Sequence, residues 1–291
     1  MCAGFELRRK QCTSMPTMRL GDARERRVLR APVRSAAALK GAASPQTPAG
    51  WHGKLFLWGG CGLYAGPAFA TTLHAHHALQ VCIGVNGRFR LRADVAAPWR
   101  TYGGAVVLSD QPHQLDGQGT RVVLLYLDPE SALARRIAQL PPRPGILPVL
   151  PAALDGLLAR LSSWGETEPT ARLCEELVEA LAPKGSVPVP LDGRVARAVE
   201  LLRGAPERRM PLAELAAAVG LSSSRLAHLF RAQTGLPVRR YLLWLRLGDA
   251  LRQLAHGVSL TTVAHAAGFA DSAHFSRTFR RMLGITPSAL G

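Results

Sequence analysis

Apolar and polar positions change period twice along this chain of 291 residues. Between residues 51 and 127 the period is two. Val81, Ile83 and Val85 alternate with smaller or polar residues, and Phe89 and Leu91 alternate with Arg88, Arg90 and Arg92. Such alternation marks strands with one buried face. Asn86-Gly87 stands between the two runs and predicts a hairpin turn. Apolar runs at 105–108, closed by Asp110 and Pro112, and at 122–127 add further strands. Short strands divided by turn residues predict a β-barrel or jelly roll.

Beyond Asp128 the period lengthens. Asp128-Pro-Glu-Ser131 reads as a strand exit and a helix N-cap. Pro141, Pro142, Pro144, Pro148 and Pro151 break the chain, and two helices follow near 152–164 and 169–181. The first aligns Leu154, Leu157, Leu158 and Leu161 on one face, and the second aligns Leu173, Leu177 and Leu181. These stripes predict either packing against the barrel or a homodimer interface. Ala182-Pro183-Lys184-Gly185-Ser186 through Pro190 reads as a linker.

The last hundred residues are helical and contain an internal repeat. Leu212, Leu215, Ala216, Val219, Gly220 and Leu221 match Leu260, Val263, Ala264, Ala267, Gly268 and Phe269 at an offset of 48. After one inserted residue, Leu226, Phe230, Arg231, Gly235 and Leu236 match Phe275, Phe279, Arg280, Gly284 and Ile285 at an offset of 49. Each copy predicts a helix-turn-helix. Gly220 and Gly268 end the first helix, where glycine takes a left-handed conformation cheaply. Ser222 or Ser223, and Asp271 or Ser272, cap the second helix. Its outer face carries Ser224, Arg225, His228 and Arg231 in one copy, and Ser276, Arg277, Arg280 and Arg281 in the other. Such side chains suit phosphates and base edges. Residues 238–256 predict one connecting helix of roughly 28 Å, close to the roughly 34 Å between successive major grooves on one face of duplex DNA.

The charge distribution supports a polyanionic partner. The chain carries +16, of which residues 1–50 hold +7, residues 51–193 hold zero and residues 194–291 hold +9. Residues 1–50 read as a disordered basic tail, with Met15 and Met18 as alternative starts. Cys2, Cys12, Cys61, Cys82 and Cys174 include no CxxC pair, so a disulfide scaffold or structural zinc site is not expected. Reduced thiols point to the cytoplasm. No apolar run is long enough to span a membrane, and no secretory signal is expected.

The segment from about Arg194 to Gly291 resembles the DNA-binding domain of the AraC/XylS family of bacterial regulators. Its carrying residues are Leu212–Leu221, Arg225–Phe230, Tyr241-Leu-Leu-Trp-Leu-Arg246-Leu, Ala250–Leu254, and Ala264-His-Ala-Ala-Gly-Phe269 through His274-Phe-Ser-Arg-Thr-Phe279 to Gly284-Ile-Thr-Pro287. The resemblance implies seven helices, two of them recognition helices, and sequence-specific binding to double-stranded promoter DNA. By position, Ser223, Ser224, Ala227 and His228 would face bases in the first reader. In the second they would be Asp271, Ser272, Ala273, Ser276 and Arg277. Arg277 is the best candidate for a base contact, and Arg231, Arg280 and Arg281 for phosphates.

His74-Ala-His76-His77-Ala-Leu-Gln80, with Gly84, Gly87 and the stretch to His113, resembles the cupin-like sensor domain of many such regulators. This implies a small-molecule effector site at His74, His76, Gln80 and His113. Three imidazoles suit a transition metal. Metal-binding cupins, however, place a carboxylate where Gln80 stands, so no metal or other cofactor is expected; His74, His76 and His113 would be the ligands if there were one. Tyr102, Arg100 and Trp99 are further candidates to line a pocket. The expected fold class is α+β, with a cupin-like β-barrel and flanking helices at 51–185 and an all-α double helix-turn-helix domain at 191–291. The expected function is transcription regulation, not catalysis. The competing reading is a metal-dependent cupin enzyme or metal sensor fused to a DNA-binding domain.

Overall fold

The computed structural model describes residues 51–58, 60–138, 145–149, 154, 156, 157, 160, 171–205 and 209–290. The tail at 1–50 and most of the helix expected at 152–164 lie outside them. Nine strands are described: β1 (Lys54–Trp58), β2 (Cys61–Pro67), β3 (Leu79–Gly84), β4 (Phe89–Arg92), β5 (Arg100–Tyr102), β6 (Gly104–Val107), β7 (Gln114–Asp116), β8 (Arg121–Leu127) and β9 (Ile146–Val149). They form a six-stranded sheet in the order β1-β2-β8-β3-β6-β9 and a three-stranded sheet in the order β5-β4-β7. All described pairings are antiparallel.

The strand alternation assigns the two faces of the large sheet. Leu79, Val81 and Ile83 of β3 and Val123, Leu125 and Leu127 of β8 pack toward α1 (Ala132–Ile137) and α2 (Ala171–Leu181), where Ile137, Cys174, Leu177 and Val178 are buried. Cys82, Val122 and Leu124 point the other way and meet Phe89, Leu91 and Leu115 of the small sheet. Leu177 of α2 is thus buried against the sheet, with Leu181 partly buried beside it.

Two expectations change. The expected barrel is two facing sheets and not a closed ring. Asn86-Gly87 does not make a hairpin, because β3 lies in the large sheet and β4 in the small one. Neither Asn86 nor Gly87 has a positive φ, which the tight hairpin turn requires at both positions. The pair is a corner between sheets, where Asn86 Oδ1 accepts from the Arg121 N–H at 3.0 Å.

The C-terminal region contains α3 (Gly193–Gly204), α4 (Leu212–Ala218), α5 (Ser223–Thr234), α6 (Val238–Ala255), α7 (Leu260–Ala266) and α8 (Ser272–Leu283), then a 3₁₀ turn at Pro287–Leu290. Among the described residues these are six α-helices and one 3₁₀ turn, where the resemblance implies seven helices. The first helix-turn-helix shares a core with α3 and with Tyr241 and Leu245 of α6. The second shares one with Leu247 and Ala250 of the same helix. Helix α6 therefore serves both cores, and its 18 residues span roughly 27 Å.

Candidate functional site

Both helix-turn-helix copies close with the same backbone device. Gly220 and Gly268 have φ of 67° and 73°. The next amide reaches back to the preceding helix, Leu221 N to Ala216 O and Phe269 N to Ala264 O, each at 2.9 Å. This αL closure satisfies carbonyls that the helix end would leave unpaired. The buried Ala216 and Ala264 give the second helix room to cross.

The caps of the reader helices resolve to one residue each. Ser222 Oγ accepts from Arg225 N at 3.3 Å, and Asp271 Oδ1 accepts from His274 N at 2.6 Å. Of the alternatives in the sequence, Ser222 and Asp271 take the capping role; Ser223 and Ser272 are the first helical residues. The cap also holds the Asp271 carboxyl below the usual carboxylate range, chiefly through its bond from the His274 amide.

Helix α5 buries Leu226 and Phe230 and exposes Ser224, Arg225, His228 and Arg231. Helix α8 buries Phe275 and Phe279 and exposes Asp271, Arg277, Arg280 and Arg281. Ser223, Ser272 and Ser276 are half-buried. The Ser276 hydroxyl donates to Ser272 O at 2.8 Å, so it faces a partner only as an acceptor. Each reader thus presents a polar, basic face, and Ala227 and Ala273 offer it only methyl groups.

The candidate effector residues converge between the sheets. His74 and His113 form an antiparallel bridge, with His74 N donating to His113 O at 3.0 Å and His113 N to His74 O at 2.8 Å. Gln80 Oε1 lies 2.9 Å from His76 Nε2 and 3.1 Å from His113 Nε2. All four residues are buried. Burial lowers the pKa of His74 to about 3 and that of His76 and His113 in the same direction. Trp99, Arg100 and Tyr102 are not part of this cluster. Trp99 lies under the Arg90 and Arg92 guanidinium groups, 5.4 and 4.6 Å from its ring centroid, and Arg100 is exposed.

A second buried polar group joins the two regions and went unrecognised in the sequence. Asp128 accepts from Trp244 Nε1 at 2.9 Å and from Arg203 Nη2 at 2.7 Å. Arg203 Nε also donates to the Tyr241 hydroxyl at 3.3 Å. His77 lies between Glu130, at 2.8 Å, and Asp110, at 3.5 Å, with its ring edge-on to Tyr241 and Trp244. Burial opposes a charge on His77, yet the two carboxylates prevail and raise its pKa to about 9. Asp128 and Glu130 sit in a stretch whose turn and cap chemistry explained them locally, so periodicity held no sign of a long-range role.

The comparisons with known proteins agree with this geometry. A family profile described as a helix-turn-helix domain matches residues 215–291. The arabinose operon regulatory protein of Escherichia coli is 34% identical over 119 residues, which cover 40% of this chain and 39% of that protein. The transcriptional activator RhaS of Pectobacterium carotovorum is 46% identical over 61 residues, covering 21% of this chain and 22% of that protein. The chain thus spans well under half the length of these curated relatives. Among solved structures, a single-residue variant of apo ToxT from Vibrio cholerae aligns over 79% of this chain and 96% of its own, with a TM-score of 0.54 and 12% identity. That likeness concerns the fold, a sheet-rich N-terminal region followed by a helical one. Residues 215–291 match the helix-turn-helix profile, and over about a third of its length the chain is similar to proteins described as AraC-like transcription regulators.

Proposed function

We propose that this protein is a sequence-specific, double-stranded-DNA-binding transcription regulator that works in the cytoplasm. Residues 191–291 read promoter DNA, and residues 51–185 form a cupin-like sensor for a small-molecule effector. The carrying observation is the pair of matched helix-turn-helix units on one shared helix, each with an exposed basic face on its second helix. The relatives are named as transcription regulators, which favours this reading over an enzyme. Asp271 fits the reading because it caps α8 and so offsets its charge at the helix N-terminus.

Competition binding tests the proposal. Duplex fragments selected from random sequence by the purified protein are measured against scrambled duplex at physiological salt. A specific regulator should prefer its selected site by about 10³-fold or more. Equal affinity for both would mean a sequence-indifferent DNA binder.

A further inference from the structure

Hydrogen bonds to the backbone decide which nitrogens of the buried histidines face one another. His74 Nδ1 donates to Thr72 O at 2.8 Å, His76 Nδ1 to Ala78 O at 3.0 Å and His113 Nδ1 to Gln111 O at 2.9 Å. A carbonyl oxygen only accepts, so every Nδ1 carries the proton and every Nε2 carries a lone pair. One ring nitrogen from each histidine lies within 4.8 Å of the others. The Gln80 oxygen adds a fourth lone pair, at hydrogen-bond distance from two of them. None of the four side chains is more than 7% exposed, so bulk water does not separate them.

Lone pairs brought this close need a proton donor or a cation among them. An Nδ1–H bonded to a backbone carbonyl is also the outer contact that orients a metal-bound histidine. Three neutral imidazoles and one amide oxygen suit a late first-row divalent ion, zinc foremost.

The same cluster touches the second reader. Thr72 N and Oγ1 both donate to Gly284 O, at 2.8 and 3.1 Å. A Cβ on Gly284 would stand 2.4 Å from His74 Nδ1. Gly284 is the C-cap of α8. The His74 ring and the end of the recognition helix are therefore packed together.

We propose that His74, His76, His113 and Gln80 bind one zinc-class divalent ion, and that its binding is transmitted through residues 72–74 to the C-terminal end of α8. The regulatory purpose of this site rests on the function proposed above; its coordination chemistry does not. The full-length protein, stripped with EDTA, is titrated with Co²⁺. One equivalent should produce visible ligand-field absorption, and Zn²⁺ should bleach it. His113→Gln should weaken Co²⁺ binding by about tenfold or more. Gln80→Glu, which keeps the shape and adds a charge, should tighten it by about tenfold, and it serves as the test should the histidine variant fail to fold. Wild-type protein that is folded by circular dichroism yet takes up no stoichiometric Co²⁺ or Zn²⁺ overturns the site; Gln80 then turns its amide to donate to both rings. In the same protein, Zn²⁺ should slow amide hydrogen exchange in the peptide 279–285. Metal uptake with unchanged exchange there overturns the transmission. Neither readout uses DNA, so failure here leaves the regulator reading intact, and failure of specific DNA binding leaves the metal result intact.

Discussion

Two glycines in equivalent backbone conformations carry different burdens. Gly220 and Gly284 both have positive φ, 67° and 74°, yet a Cβ at Gly220 would meet nothing within 4 Å. Gly220→Ala should therefore cost only the left-handed backbone penalty, about 1 kcal/mol. Gly284→Ala adds a clash with His74 Nδ1 and with Thr71 Cβ, at 2.4 and 2.8 Å. Its cost should exceed that of Gly220→Ala by at least about 1 kcal/mol, the scale of overpacking. Urea denaturation of the two variants compares them directly, and equal midpoints would contradict the packing of α8 against His74. The charges on α8 call for the same residue-level separation. Arg277→Ala should lose about 1–3 kcal/mol of binding and relax specificity at one base pair, while Arg280→Ala should weaken all sequences alike and shallow the salt slope by about one. Identical behaviour of both variants on specific and random duplex would refute the division of roles.

At the scale of elements, the reader helices are built by their ends. A helix N-terminus favours a negative group, and Asp271 uses that preference at an exposed position, where its charge would repel a nearby phosphate. Asp271→Asn keeps a good cap and removes the repulsion. It should leave the circular dichroism of α8 unchanged and tighten DNA binding at low salt, with the gain fading as salt rises. A helix that unravels instead would show that the carboxylate charge itself sustains the cap. Helix α6 sets the spacing of the readers because Tyr241 and Leu245 belong to one core and Leu247 and Ala250 to the other. A rigid strut results from sharing buried faces, not from high helix propensity.

At the scale of the molecule, both reader helices turn their C-terminal ends toward the sheet region. Gly284 lies against His74, and a Cβ on Gly235 would stand 3.6 Å from Asp110. Asp128 fastens α3 and α6 to the same region. Asp128→Ala would leave the Trp244 indole without this acceptor and strip Arg203 of its 2.7 Å carboxylate partner, with the Tyr241 hydroxyl still accepting from Arg203. It should loosen the contact by about 1–3 kcal/mol, a range that allows for solvent screening of Arg203. Faster proteolysis between 183 and 190, with a shift in Trp244 emission, would report the release; unchanged cleavage would show that the apolar contacts suffice. The histidines add opposing pH dependences. His77, with its pKa raised from 6.5 to about 9, stabilises fully below pH 6.5, and this support is lost as pH rises through about 9. His74, His76 and His113, with pKa values lowered, stabilise fully above pH 6.5. Their support is lost as pH falls, down to about 3 for His74. Denaturation midpoints should therefore decline on both sides, and His77→Gln should flatten only the alkaline side.

The helix-turn-helix pair was legible because it is local and repeated. Gly220 and Gly268 mark αL closures, and Leu226, Phe230, Phe275 and Phe279 recur at the helical period, so short-range physics was enough. The strands at 79–84 and 89–92 were legible from alternation, and the strand at 121–127 from a short apolar run, for the same reason. Their partners were not. Asn86-Gly87 fits a hairpin locally, but the register of β3 with β6 and β8 places its two flanking strands in different sheets. Ser131 was readable as a cap, while Asp128 and Glu130 beside it were read only as part of the turn and cap. Their meeting with Arg203, Trp244 and His77 spans up to 116 positions of sequence. The sequence by itself determined the helix-turn-helix elements and their exposed arginines, and narrowed each reader cap to two neighbouring residues, because each depends on neighbours within a few turns. Only the tertiary structure decided that the histidine cluster lies against the end of α8, because that contact needs strand register, sheet order and domain docking at once.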